Sequence, residues 1–287
     1  MANLRGGNYD KQVKSAFLKI ESFSVSRHGK DSHKTHSDGL AKKREEFLSS
    51  YKSFAINNGF TDKLNKTMTP QNMDRYLNQK LKGLSLKTKI NYMRSWSSMV
   101  QGLKEANITI TVDKSYFDTK VQEIKTSNPK LPIKMDRAIK NVNAVISKIY
   151  EKNYTSGVLA EIQYKLGVRV AESYKIVQNP YKHISNDKII NLRGKGNRLY
   201  DPKHISKDLI AKIQAVQNIP HENTYRNHIS EVTNGKYTTH SFRYTHALNT
   251  FKQGVKNNIP YKKLMKTISE NLGHSRIAMS QFYLKRA

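Results

Sequence analysis

Histidine and arginine recur in the second half of this chain at spacings that suit an anion. In His240-Ser-Phe-Arg243 the imidazole and guanidinium stand three residues apart. That spacing places them on one helical face, close to a helix N-terminus where free N–H groups favour a phosphate. Arg169 follows Gly167 in Leu166-Gly-Val-Arg-Val-Ala-Glu172. Gly167 suits a left-handed helix end, so Arg169 falls at a turn fixed by packed elements on either side, and its fork can hold two phosphate oxygens. His274 comes directly after Gly273, and Tyr283 follows nine residues later, since 283 minus 274 is 9. Opening a phosphodiester needs donors for the non-bridging oxygens, a nucleophile and an acid for the departing oxygen, and these segments contain all three. Each residue has an ordinary alternative. An arginine in a basic protein is usually a surface residue, and a helical tyrosine, one of 16 here, usually packs. His246 extends the spacing from His240, but no acidic residue lies between them and His-Glu-x-x-His is absent, which argues against a metal helix.

Composition points to the same kind of partner. Lys and Arg number 51 against 22 Asp and Glu, a formal charge of +29 spread along the whole chain, which calls for a polyanion. Nucleic acid fits better than an anionic membrane, because no apolar run reaches transmembrane length and residues 1–14 lack a signal-peptide core. The expectation is a cytoplasmic, nucleoid-associated protein. Cysteine is absent, so disulfides and thiolate zinc sites are excluded, and neither a metal nor a cofactor is expected. A length of 287 residues is enough for two domains.

The elements that would position these side chains follow from periodicity. Val13, Phe17 and Ile20 mark a helix within residues 11–22, and the polar stretch 23–38 reads as a mobile loop. Phe47, Tyr51, Phe54 and Ala55 share the face of a second helix ending near Asn57-Asn58-Gly59. Thr69 before Pro70 caps a third, which buries Met73, Tyr76, Leu77 and Leu81. Ser85 caps a fourth, with Ile90, Met93, Val100 and Leu103 inward, Trp96 and Met99 packing, and Lys87, Asn91, Arg94, Ser95 and Ser98 on the remainder. Lys87, Asn91 and Arg94 are candidate DNA contacts there, although a solvated helix side has the same composition. The prolines of residues 126–132 suggest a linker, giving domains at 1–128 and 134–287 joined by 129–133. Beyond it, helices are expected around Ile139 to Ile149, at Leu159 to Leu166, around Leu209 to Ile213, at His240 to Val255 and at Pro260 to Leu272. Residues 181–201 read as a small antiparallel sheet turning at Asn186-Asp187 and Gly194-Lys195-Gly196. The fold class is mainly α with a small antiparallel β-sheet.

The order of a turn arginine, a hairpin lysine, His-x-x-Arg, then Gly-His with a tyrosine nine residues on resembles the tyrosine recombinase, or phage integrase, family over about Leu166 to Leu284. The stretch from Thr69 to Trp96 looks like that family's helical core-binding domain. The resemblance implies an N-terminal four-helix core-binding domain and an α+β catalytic domain. It also implies a catalytic set of Arg169, Lys195, His240, Arg243, His274 and Tyr283, supported by Glu172, with Arg193 and Arg198 flanking Lys195. The implied partner is a double-stranded recombination site with inverted repeats, bound by a dimer and brought together in a synaptic tetramer. Arg169, Arg243 and His274 would hold the phosphate, Tyr283 would attack, Lys195 would protonate the leaving 5′ oxygen and His240 would assist. A phenol is a poor nucleophile at neutral pH and a reasonable leaving group, so a phosphotyrosine can be reopened by a DNA hydroxyl. Tyr244 stands where histidine is common in the family, and is expected not to affect the core chemistry. Only four residues follow Tyr283, so either another element such as the N-terminal arm links subunits or the natural protein is longer. A type IB topoisomerase or telomere resolvase would use the same residues, and a non-catalytic DNA-binding protein would use only the charge.

Overall fold

The computed structural model describes residues 2–23, 33–127, 136–194, 197–274 and 276–287, and divides into two compact units, residues 1–132 and 133–287. The expected linker, residues 129–133, lies outside the described residues.

The first unit contains α1 (Tyr9–Ile20), α2 (Asp38–Asn57), α3 (Leu64–Thr67), α4 (Pro70–Lys80), α5 (Leu86–Glu105) and α6 (Lys114–Ser127). Local chemistry sets their starts. Thr69 Oγ1 accepts from the Asn72 N–H with Pro70 at the first helical position, and Ser85 Oγ accepts from the Thr88 N–H. Each cap contributes about 1 kcal/mol, and packing of the apolar faces supplies most of the rest. Phe47, Tyr51, Tyr76 and Trp96 form the aromatic centre of the core, with Trp96 stacked on Phe47 at 5.9 Å and edge-on to Tyr51 and Tyr76.

Two helices, α3 and α6, come in addition to the four marked by periodicity. α3 is a single turn, too short to show a period, and α6 buries only Phe117 and Val121. Part of the expected loop is also anchored. Arg44 is buried and donates to Thr35 Oγ1, the His33 carbonyl and Ser98 Oγ, while Thr35 and Glu21 form a parallel bridge. Residues 24–32 of that loop lie outside the described residues.

The second unit runs α7 (Val142–Lys152), α8 (Tyr154–Leu166), α9 (Val170–Gln178), α10 (Pro180–His183), β1 (Ile184–Ser185), β2 (Lys188–Ile189), β3 (Lys203–His204), α11 (Lys207–Gln214), α12 (Glu222–Val232), α13 (Thr239–Lys256), α14 (Tyr261–Asn271) and α15 (Ile277–Arg286). The sheet is antiparallel in the order β1-β2-β3 and turns at Asn186-Asp187, both at positive φ. Its limits differ from 181–201. Pro180 starts a helical turn that takes Tyr181 to His183 out of the sheet, and β3 lies beyond Tyr200 because Ile189 pairs with Lys203. Arg193 and Leu199 form a separate antiparallel bridge. Ile139 precedes α7 and does not join it, since its N–H is committed to Thr245 Oγ1 at 2.8 Å. A large core spans α7 to α13, and a smaller one joins α13, α14 and α15 around Tyr244, Leu264, Met265, Ile268 and Tyr283.

Candidate active site

Two helix ends and the start of a third helix supply the charged side chains. α8 ends at Gly167, whose φ of +65° makes the left-handed cap that glycine favours. The chain then re-enters α9 with Arg169 as N-cap. Glu172, on the first turn, accepts from the Arg169 N–H at 2.6 Å, the Arg169 guanidinium at 2.9 Å and the Tyr200 hydroxyl at 2.8 Å. Burial pushes the Glu172 carboxyl up, but these bonds and the arginine charge outweigh it and hold the group below its ordinary value.

Arg243, on the second turn of α13, is fully buried and lies 3.9 Å from Glu172. Its terminal nitrogens donate to the carbonyls of Gly167 and Leu272, and one approaches His274 Nε2 at 3.5 Å. Its Nε, like His274 Nδ1, is buried and has no hydrogen-bond partner among the described residues. His274 follows Gly273, which ends the α14 segment at φ +61°. A Cβ at Gly273 would lie 2.5 Å from the Tyr200 ring, so this position is closed to a side chain while Tyr200 stays on Glu172.

Tyr283, on α15, is buried, and its hydroxyl lies 2.8 Å from His240 Nε2. Its ring is 5.1 Å from that of His274, and the Arg243 guanidinium lies 5.8 Å from its centre. Burial first, then Arg243 and other arginines, lowers both His240 and His274 to about 4, which leaves both rings neutral at pH 7. A neutral His240 can accept the phenolic proton.

The structure thus brings together Arg169, Glu172, His240, Arg243, His274 and Tyr283. Lys195 lies outside the described residues, between Gly194 and Asn197, whose backbones are hydrogen-bonded to each other. Lys87, Asn91 and Arg94 are exposed on α5 of the other unit, each outside its core. Of the two serines on that face, Ser98 Oγ accepts from Arg44, and Ser95 Oγ donates to the Asn91 carbonyl at the exposed surface.

Two site neighbours, Tyr200 and Lys203, escape the sequence reading, and a third, Tyr244, has a contact it did not foresee. Tyr200 bridges Glu172 and Arg169. Lys203 lies on two backbone carbonyls. Tyr244, expected not to affect the core chemistry, stacks on Tyr283 at 4.4 Å and 21°, with the Arg137 guanidinium 4.6 Å from its ring and bonded to its hydroxyl at 2.9 Å. The contact has a simple cause. Tyr244 follows Arg243 on α13, so its side chain leaves the helix toward α15 and its ring lies against the face of the Tyr283 ring. Only its place beside Arg243 signalled it in the sequence.

This architecture is that of site-specific DNA recombinases and integrases whose structures are solved. The chain is similar to XerH site-specific recombinase bound to difH substrate in a pre-cleavage complex, with 16% identity, coverage of 99% of this chain and 96% of that one, and a TM-score of 0.61. It is similar to a lambda integrase dimer bound to a COC′ core site, with 15% identity over 83% of this chain and 88% of that one and a TM-score of 0.56. The Tn1549 transposon integrase in complex with a circular intermediate DNA gives 16% identity, 94% of each chain and a TM-score of 0.56. At these identities the likeness is one of fold, and the chain folds as tyrosine recombinases do. No protein-family model and no curated protein sequence matches the chain.

Proposed function

We propose that the protein is a tyrosine site-specific recombinase, a DNA strand transferase that cleaves and rejoins duplex DNA through a 3′-phosphotyrosine at Tyr283. The hydrogen bond between the Tyr283 hydroxyl and His240, among Arg169, Arg243 and His274, carries this proposal. The Tyr283 oxygen attacks phosphorus and its proton passes to His240 Nε2. The bond from phosphorus to the 5′ oxygen breaks, and that oxygen leaves with a proton from Lys195. Arg169, Arg243 and His274 stabilise the charge on the non-bridging oxygens. Attack by a 5′ hydroxyl on the phosphotyrosine reverses these steps and reseals the strand, so the bond energy is conserved without a nucleotide cofactor. Glu172 orients Arg169 and balances the buried charge of Arg243. The helical unit contacts the duplex through Lys87, Asn91 and Arg94 of α5, and the second unit holds the scissile phosphate.

The partner proposed is a duplex with inverted repeats, bound by a dimer, with two such sites joined in a tetramer. The +29 charge and the DNA complexes of the solved relatives in fold support it. No helix among the described residues is long and apolar enough to cross a membrane. Integration, excision or resolution of a mobile element or replicon is the expected role, in the cytoplasm and at the nucleoid.

The test uses a duplex selected from a randomised pool by binding to this protein and then nicked near the bound site to trap the intermediate. An adduct that survives denaturation should form with the wild type and vanish in Tyr283→Phe, while DNA affinity stays within about twofold. Binding without any adduct would leave a DNA-binding protein and no more. Strand exchange between two labelled sites, as against relaxation of supercoils alone, separates a recombinase from a topoisomerase.

A further inference from the structure

The last carbonyls of a helix have no partner within it and carry the negative end of its dipole, so donors and cations gather there. At the end of α8, Gln163 O accepts from the Gly167 N–H, Tyr164 O lies 2.8 Å from His246 Nδ1, and Leu166 O accepts from Lys203 Nζ at 2.9 Å. At the end of α14, Glu270 O accepts from the Gly273 N–H, Ser269 O from the His274 N–H, and Asn271 O from Lys203 Nζ at 2.6 Å. One ammonium on β3 therefore joins two helix ends that are distant in sequence. The two carbonyls occupy equivalent places: Leu166 is three residues ahead of Arg169, and Asn271 is three ahead of His274. Arg243 repeats the bridge one residue further along each segment, on Gly167 and Leu272.

We infer that Lys203 is a positioning residue, whose ammonium sets the turn carrying Arg169 against the turn carrying His274 so that both converge on one phosphate. The inference rests on the strand-transfer function proposed above and assigns Lys203 no contact with DNA. Two of its three N–H groups go to backbone carbonyls, and Nζ faces the Tyr200 ring at 5.2 Å. Burial first and Arg243 second lower the amine to about 7, against Glu172 and Asp201. A neutral amine still has two N–H groups for two carbonyls, so the bridge survives deprotonation, and its signature is geometric.

Lys203→Met keeps the stem and removes both donors, whereas Lys203→Arg keeps a cation with several. In the free full-length protein, Lys203→Met should speed backbone hydrogen exchange about tenfold or more in residues 167–170 and 272–274 while leaving α12 unchanged. With the selected nicked duplex, adduct formation should slow by about 10- to 100-fold at DNA affinity within about twofold, and Lys203→Arg should regain most of the rate. The defect should persist when sulfur replaces the 5′ bridging oxygen at the mapped cleavage point, because a thiolate leaves without a proton. Three results overturn the inference: unchanged exchange in those turns, loss of affinity as large as the loss of rate, or full rescue by sulfur, which would make Lys203 the acid. If the wild type forms no adduct, the strand-transfer function is what fails, and exchange in the free protein still decides whether Lys203 is the bridge.

Discussion

His240 and His274 stay neutral because burial first, and arginine neighbours second, make an imidazolium costly at both places. A phosphate among the same arginines offsets their charge and removes the second cause. In an NMR titration both rings should remain neutral until pH approaches 4, and bound DNA should raise both midpoints by about a unit or more; midpoints near the ordinary 6.5 in the free protein would contradict this site. The stability consequence has a definite sign. Both folded values lie below the unfolded one, so the folded state binds fewer protons between about pH 4 and 6.5, and stability falls as pH drops through that window. Glu172 adds to this at lower pH: its contribution is present above the unfolded carboxylate value and is lost as pH falls through the depressed folded one. Removing this carboxylate strands two arginines, so Glu172→Ala should cost about 3 to 5 kcal/mol in denaturant unfolding near neutral pH. Tyr244 stacks on Tyr283, and on the proposed function this contact positions the attacking phenol. Tyr244→Phe should keep adduct formation within about threefold, and Tyr244→Ala should slow it by about 10- to 100-fold; equal rates for both would remove Tyr244 from the site.

At the scale of elements, the turns at Gly167 and Gly273 place Arg169 and His274 beside the residues carried by α9, α13 and α15. Gly273→Ala meets two costs, a left-handed backbone and a Cβ placed 2.5 Å from the Tyr200 ring. Together they should destabilise by at least about 1 to 3 kcal/mol. At about 2 to 4 °C per kcal/mol for a unit of this size, thermal unfolding should fall by several degrees. An unchanged midpoint would mean that Tyr200 leaves Glu172 readily. The long amphipathic helices and their caps were legible in the sequence, because Thr69, Ser85, Gly167 and Gly273 announce boundaries by local chemistry alone. β3, α12 and α6 were not. β3 exists only because Ile189 and Lys188 find Lys203 and His204 across the sheet, and a two-residue strand has no period of its own.

For the molecule as a whole, the proposed function assigns the encounter with DNA to charge and the reaction to geometry. With a formal charge of +29, the proposed binding to DNA should depend steeply on salt through release of counterions. If Lys87 and Arg94 each meet a phosphate, replacing both with alanine should reduce the slope of log K against log salt by about 2. Asn91→Ala should leave that slope unchanged. A slope equal to that of the wild type would assign this face of α5 to solvent. The sequence by itself determined most of the helical architecture, the net positive charge and the order of the candidate site residues, since periodicity, composition and motif order are properties of the chain alone. Only the tertiary structure decided that Tyr283 rests on His240 and Tyr244, and that Arg243 and Lys203 tie the ends of α8 and α14 together. Those bonds run between backbone carbonyls and side chains far apart in sequence. A carbonyl leaves no mark in the residue code, and one lysine among 51 basic residues looks like the rest until the fold spends it.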